Sequence, residues 1–140
     1  PTLGMITVNA LAASNSVIIP VQAQYLSAKG MMQLMQTVSK VQRTINPNLQ
    51  IDGILMTLTD QRTNISRATV EQVRETHGKN VHIFKTHIPT SVRTAESTLH
   101  GESILSYEPS NPVARAYVEF AKEVTANAKE TAKAAPDLLR

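Results

Sequence analysis

The chain has no cysteine and no tryptophan, and only two phenylalanines and three tyrosines among its 140 residues. Without thiols there is no disulfide and no thiolate metal site, a composition that suits the cytosol. With so few rings, the core must be aliphatic, drawn from Ile, Leu, Val, Met and Ala. No apolar run approaches the ~20 residues needed to cross a bilayer. No basic segment followed by an apolar one opens the sequence, so no signal peptide is visible. Glycine is scarce as well, with five in all, and no G-x-x-x-x-G-K-[ST] loop occurs to cradle a triphosphate.

The length fits one domain. The formal charge is +3, and its distribution matters more than its size. Between Thr59 and Arg93 lie Arg62, Arg67, Arg74, Lys79, Lys85 and Arg93 against only Asp60, Glu71 and Glu75. An anionic partner, or a plain solvated face, would account for such a stretch.

Periodicity sorts the chain into alternating elements. Leu3, Ile6, Leu11 and Val8 give an imperfect stripe, so Thr2 to Ala13 reads as a helix. Ser16 to Val21 (SVIIPV) is a short branched apolar run, which predicts a buried strand ended by Pro20. Met31, Leu34, Met35, Val38, Val41 and Ile45 then recur at helical spacing, and Asn46-Pro47-Asn48 stops that helix. Its methionines read as core filler. Leu49 to Thr59 reads as a second buried strand. Ser66 or Asn64 is a candidate cap for a helix over Arg67 to His77, with Val70, Val73 and Ile65 inward and Gly78 as terminator. Asn80 to Ile88 (NVHIFKTHI) alternates partly and reads as a third strand, broken by Pro89. A short helix follows within TSVRTAESTLHG, and ESILSYEPSNP reads as irregular. Ser110 or Asn111 before Pro112 starts a last helix, with Val113, Tyr117, Phe120 and Val124 on its apolar face. The segment 126–140 is expected to fray.

Alternating strands and helices imply an α/β fold: a parallel sheet, covered by helices on both faces through right-handed crossovers. Three strands make a thin sheet of this kind, with an apolar edge exposed.

No catalytic constellation stands out. His77, His82, His87 and His100 lack metal-ligand context, and His82 and His87, five apart on an expected strand, would face opposite ways. No G-x-S-x-G elbow and no paired general acid and base occur. What remains are the carboxyl ends of the strands, where open α/β sheets bind ligands. Here these are Pro20 to Gln24, Thr57 to Asn64 and Ile88 to Arg93.

Those loops carry a resemblance. PTLGMITVNAL, VIIPVQAQYLSAKG, GILMTLTDQRTN, HIPTSVRTAES and GESILSYEPSNPVARAYVEFAKEV follow one another in the order found in ParA-type partition ATPases. The chain resembles the C-terminal half of this group, which includes Soj and MinD and carries a deviant Walker P-loop, over residues 1–125. The resemblance implies the C-terminal part of a P-loop NTPase fold, with the Walker A loop and Walker B aspartate upstream of Pro1. It implies that Pro1, Thr2, Leu3 and Gly4 form the tail of switch II. It places Thr57, Leu58, Ile88, Pro89 and Thr90 around the nucleotide base. It assigns Arg62 and Arg93, with Arg67 and Lys85 as weaker additions, to non-specific contacts with DNA backbone, as salt-dependent phosphate binding requires.

The implied complete protein binds ATP and Mg, forms a nucleotide-switched homodimer on nucleoid DNA in the cytoplasm, and answers to a centromere-binding partner protein. Its role would be plasmid or chromosome partition. This chain alone would hold no catalytic residue and no metal, bind nucleotide at most weakly, and hydrolyse no ATP. Its C-terminal residues, with Pro136 and only Leu138 and Leu139 strongly apolar, argue against a membrane anchor of the MinD kind. The alternatives are a stand-alone DNA-binding or protein-interaction module without ATPase activity, and a ParA-like positioning ATPase with a cargo other than DNA.

Overall fold

The structure is a computed structural model. It describes residues 4–134, without the side chains of 25–29 and 128–134. Helix α1 (Met5–Ala13) leads into strand β1 (Ser16–Gln22), helix α2 (Tyr25–Thr44), strand β2 (Gln50–Thr59) and helix α3 (Asn64–His77). A short strand β3 (Ile88–Pro89) precedes α4 (Val92–Leu99), α5 (Ile104–Tyr107) and α6 (Pro112–Ala134). The sheet has three strands in the order β1-β2-β3, and both pairings are parallel.

Strand β2 is central, and its side chains alternate between two cores. Ile54 and Met56 pack with Ile19, Val21, Met31 and Val73, under α2 and α3. Leu55 packs on the other face with Phe84, Ile88, Ile104, Val113 and Ala114, under α5 and α6. A third cluster of Leu11, Val38, Val41 and Leu49 seats α1 against α2. The sheet is therefore covered by helices on both faces, as the alternation of elements predicts. Asn46 does more than stop α2. Its side-chain amide donates to the carbonyls of Leu11, Ala12 and Ser14 at 3.1, 3.3 and 2.8 Å. These include acceptors that the end of α1 leaves open.

Several expectations need correction. Pro20 does not end β1 but lies inside it, opposite Leu55. An edge strand tolerates proline, because a missing N–H facing away from the neighbour loses no ladder bond. Ile6 is 86% exposed, so the stripe expected on α1 reduces to Leu11 and Val8. Ile45 and Ile65 are exposed rather than inward. Thr63, not Ser66 or Asn64, caps α3: its hydroxyl accepts from the Ser66 amide. The segment expected to be irregular contains α5.

The largest correction concerns NVHIFKTHI. Only Ile88 of that run joins β3, Pro89 lies within the strand rather than breaking it, and an isolated bridge links Ile83 to Ile54. The cause is a carboxylate on α6. Glu123 accepts from the Lys85 amide at 2.7 Å, and from the Thr86 amide and hydroxyl at 3.0 and 2.8 Å. Those amides bond a helix instead of a strand ladder. With no strand here, the argument that His82 and His87 face opposite sides falls away. His82 lies edge-on to Phe84, whereas His87 is half-buried, its Nε2 without a hydrogen-bond partner among the described residues.

Gly53 permits the close approach of this segment. Its φ is +157°, and a Cβ there would lie 2.8 Å from the Phe84 ring and 2.9 Å from the His82 carbonyl oxygen. The β1–β2 register also shifts opposite it, between Val17 and Ile18.

Candidate functional site

The carboxyl ends of the three strands meet at one edge of the sheet. Gln22 is in register with Thr57, Thr57 with Ile88, and Thr59 with Pro89. The Ala23 amide donates to the Thr57 carbonyl at 3.0 Å, and the Thr90 amide to the Thr59 carbonyl at 3.1 Å. The five residues singled out from the sequence, Thr57, Leu58, Ile88, Pro89 and Thr90, therefore form one contiguous group. Ile88 is buried, Thr57 and Pro89 are half-buried, and Leu58 and Thr90 are exposed.

Leu58 is the unusual member. Its φ is +49°, in the left-handed region that L-residues seldom adopt. It sits between Thr57 and Thr59, where the β2–β3 register shifts. The extra residue throws the Leu58 side chain out of the sheet, and it is 45% exposed. A strained backbone and an exposed apolar side chain at a strand end suit ligand contact better than packing.

The two loops leaving this edge carry the arginines. Past β2, Arg62 folds back on Asp60: Nε donates to Oδ1 and Nη2 to Oδ2, both at 3.0 Å. That two-point hydrogen bond lowers the Asp60 pKa and raises that of Arg62. The Arg62 side chain is nonetheless 89% exposed, and it keeps donors that Asp60 does not use. Past β3, Arg93 donates from Nη1 to Glu96 at 2.7 Å, with Glu108 at 3.7 Å from its Nε. Glu96 first, then Glu108, raises the Arg93 pKa.

Arg67, in the first turn of α3, donates to the side chain of Asn64. Lys85 lies apart from this edge, on the segment that Glu123 holds, and enters no ion pair among the described residues. Of the switch II residues, Gly4 is exposed just before α1, and Pro1, Thr2 and Leu3 lie outside the described residues.

Sequence reasoning missed the acids that hold these cations. Asp60, two residues before Arg62, and Glu96, one helical turn after Arg93, were legible as local pairs. Glu108 was not, because it comes from the loop before α6. The same loop anchors the site: the Asn111 side-chain amide donates to Glu108 at 3.0 Å and to the Ser91 hydroxyl at 3.3 Å. Asn111 is buried, and its Oδ1 caps α6 by accepting from the Val113 amide. No group of three or more metal-ligating side chains occurs among the described residues. None of the helices among those residues is long and apolar enough to cross a membrane.

A family profile described as an AAA domain matches residues 1–51. The chain is 44% identical over 127 residues to the sporulation initiation inhibitor protein Soj of Bacillus subtilis, covering 91% of this chain and 49% of that protein. It is 40% identical over 130 residues to the chromosome-partitioning ATPase Soj of Thermus thermophilus, covering 93% of this chain and 51% of the relative. It is 38% identical over 124 residues to the chromosome partitioning protein ParA of Myxococcus xanthus, covering 89% and 43%.

Among solved structures, cobyrinic acid a,c-diamide synthase from Mycobacterium smegmatis, with bound ADP and magnesium, superposes with a TM-score of 0.71 at 31% identity. That match covers 92% of this chain and 44% of the synthase. Apo McdA from Cyanthece shares the fold at a TM-score of 0.74 and 15% identity, over 91% of this chain and 50% of its own. The chain spans about half the length of the curated relatives it matches. Over that half it is a homologue of the Soj/ParA chromosome-partitioning ATPases, with the parallel α/β fold of P-loop NTPases.

Proposed function

We propose that this chain is the C-terminal, base-binding and DNA-contacting half of an ATP-switched partition protein. The observation that carries this reading is the convergence of Thr57, Leu58, Ile88, Pro89 and Thr90 at one sheet edge, with Arg62 and Arg93 on the two loops that leave it. Ile88 and Pro89 offer an apolar wall and Thr57 and Thr90 offer polar groups, which fits a nucleobase. Leu58, projecting from its bulge, would close over the base. The metal, the phosphate-binding lysines and the catalytic aspartate would belong to the upstream half. When bound, ATP and Mg would supply the phosphoryl chemistry and the switch. This chain's own residues would orient the base and carry the DNA contacts.

Arg62 and Arg93 would each present remaining donors to phosphate oxygens while staying tied to an acid. Such binding tolerates any sequence and weakens with salt. In the complete protein, a homodimer formed on ATP would double these contacts, and a centromere-bound partner would trigger hydrolysis and release.

The test is a chimera in which this chain replaces the matching half of Bacillus subtilis Soj. ATP-dependent retention of duplex DNA of arbitrary sequence is expected. Replacing Arg62 and Arg93 by alanine should lower the salt dependence of binding by a slope of roughly one per arginine. Nucleotide binding with no DNA retention would favour a positioning ATPase with another cargo. ATP turnover by the 140-residue chain alone would overturn the assignment of catalysis to the upstream half.

A further inference from the structure

Arg62, Arg93 and Lys122 are all held by acids. A second set of cations is not. Along α2, Met32, Met35, Lys40 and Arg43 line a groove with a cavity volume of ≈510 Å³, flanked by His77 at the end of α3. Lys40, Arg43 and His77 enter no ion pair among the described residues. The groove is part of neither the strand-end site nor the DNA contacts proposed above.

Its composition is mixed in a specific way. Met35 packs against the core below, while Met32 is 52% exposed on a face where a polar residue would be expected. Positions 32, 35 or 36, 39 and 43 recur every three to four residues, so the groove follows one face of the helix. From Met32 to Arg43 it extends ~17 Å at the helical rise, about 11 residues of a docked helix. Methionine side chains are unbranched and adapt to varied apolar partners.

An occupant must satisfy both features: apolar groups for the methionine floor and negative charge for the three basic side chains. Duplex DNA meets only the second, since its phosphate backbone has nothing to place on Met32 and Met35. A bilayer surface is too broad to enter a groove between two helices. An amphipathic helix with acidic flanks meets both. We propose that the α2–α3 groove docks an acidic amphipathic helix of a partner protein, its apolar side on Met32 and Met35 and its carboxylates on Lys40, Arg43 and His77.

The experiment is fluorescence anisotropy at low salt on the 140-residue chain. The probe is a fluorescein-labelled helical peptide of about 14 residues, leucine on one face and glutamate on the other. A scrambled peptide of the same composition is the control. The ordered peptide should bind about tenfold more tightly than the scramble. The double substitution Lys40→Glu with Arg43→Glu should weaken it by about tenfold or more, and should gain affinity for a peptide carrying lysine in place of glutamate. Met32→Gln should weaken both pairings. All three changes are at exposed positions, and circular dichroism checks that the fold persists. Equal binding of the scramble, or indifference to the charge reversal, would overturn the proposal. So would a charge reversal that abolishes duplex DNA binding while peptide binding stays absent, because the cations would then serve phosphates.

Discussion

Replacing Glu123 by alanine would release the segment that leads into β3. In the folded chain this carboxylate accepts three hydrogen bonds, from the Lys85 amide and from the amide and hydroxyl of Thr86, with His82 Nε2 at 3.9 Å. The side chain is only 17% exposed. Hydrogen bonds to charged groups are worth roughly 1.5–3 kcal/mol each. The full sum does not apply, because Lys85 is exposed and water can replace Glu123 at its amide. Thr86 is half-buried and recovers less. The expected loss is therefore about 2–3 kcal/mol. Urea unfolding followed by circular dichroism would measure it, with an unchanged denaturant slope showing that the change lies in stability.

The pH dependence gives an independent check. Burial pushes the Glu123 carboxyl upward, but the Lys85 and Thr86 amides, the Thr86 hydroxyl and the charge of His82 outweigh burial and hold it below 4.5. A carboxylate with a depressed folded pKa stabilises fully above its unfolded value and loses that contribution as pH falls through the folded one. The parent and Glu123→Ala should therefore differ most near neutrality and converge below pH 4.5. Glu123→Gln keeps one acceptor oxygen, so it should lose less stability, and because it too lacks the titrating carboxyl its smaller deficit should likewise shrink below pH 4.5. The Lys85 and Thr86 amides should also exchange with solvent faster in the alanine variant. A loss below ~0.5 kcal/mol, within the range of ordinary surface changes, would refute the view that this carboxylate anchors Lys85 and Thr86.

Two further outcomes follow from local geometry. Gly53→Ala should destabilise by about 2–4 kcal/mol in the same unfolding experiment, because the new methyl meets the Phe84 ring and the His82 carbonyl at under 3 Å from a left-handed backbone. His87 is kept below its usual 6.5 by burial first and the Arg74 charge second, against a smaller pull from Glu123. The unfolded chain then takes up a proton that the folded chain refuses, so stability falls as pH drops below 6.5. His87→Leu should make the stability profile shallower below pH 6.5, and it also removes an Nε2 that has no hydrogen-bond partner among the described residues. Parallel profiles for the two proteins would show that His87 does not carry that slope.

Where local pattern and burial agreed, the fold was legible in the sequence. The β2 run, the stripe of Met31, Val38 and Val41, and the cap before Pro112 all emerged where spacing and turn chemistry placed them. The failures share a cause: a partner far away in sequence. NVHIFKTHI has the composition of a strand, but Glu123 on α6 takes two of its amides. Pro20 reads as a terminator in isolation, and only its place on the sheet edge makes it harmless. Ile6 and Ile65 fit their helical stripes, yet neither finds a second surface to pack on.

The candidate site divides in the same way. Its location was legible because strand ends are where an open α/β sheet can hold a ligand, and the three strand ends do meet. The left-handed turn at Leu58 was not, since nothing in MTLTD marks a bulge that glycine would usually occupy. Composition left an anionic partner and a solvated face both open for this stretch, and in the structure Arg62 and Arg93 each sit against a carboxylate. A paired arginine still offers donors to a phosphate, yet the pair carries no net charge, so its long-range attraction for DNA is weak. Long-range capture needs cations that no acid neutralises, such as Lys85, which enters no ion pair among the described residues. Close-range contact can use Arg62 and Arg93, whose acids hold the guanidinium planes in place. Affinity would then fall most for Arg62 and Arg93 substitutions, whereas the association rate at low salt would respond most to Lys85.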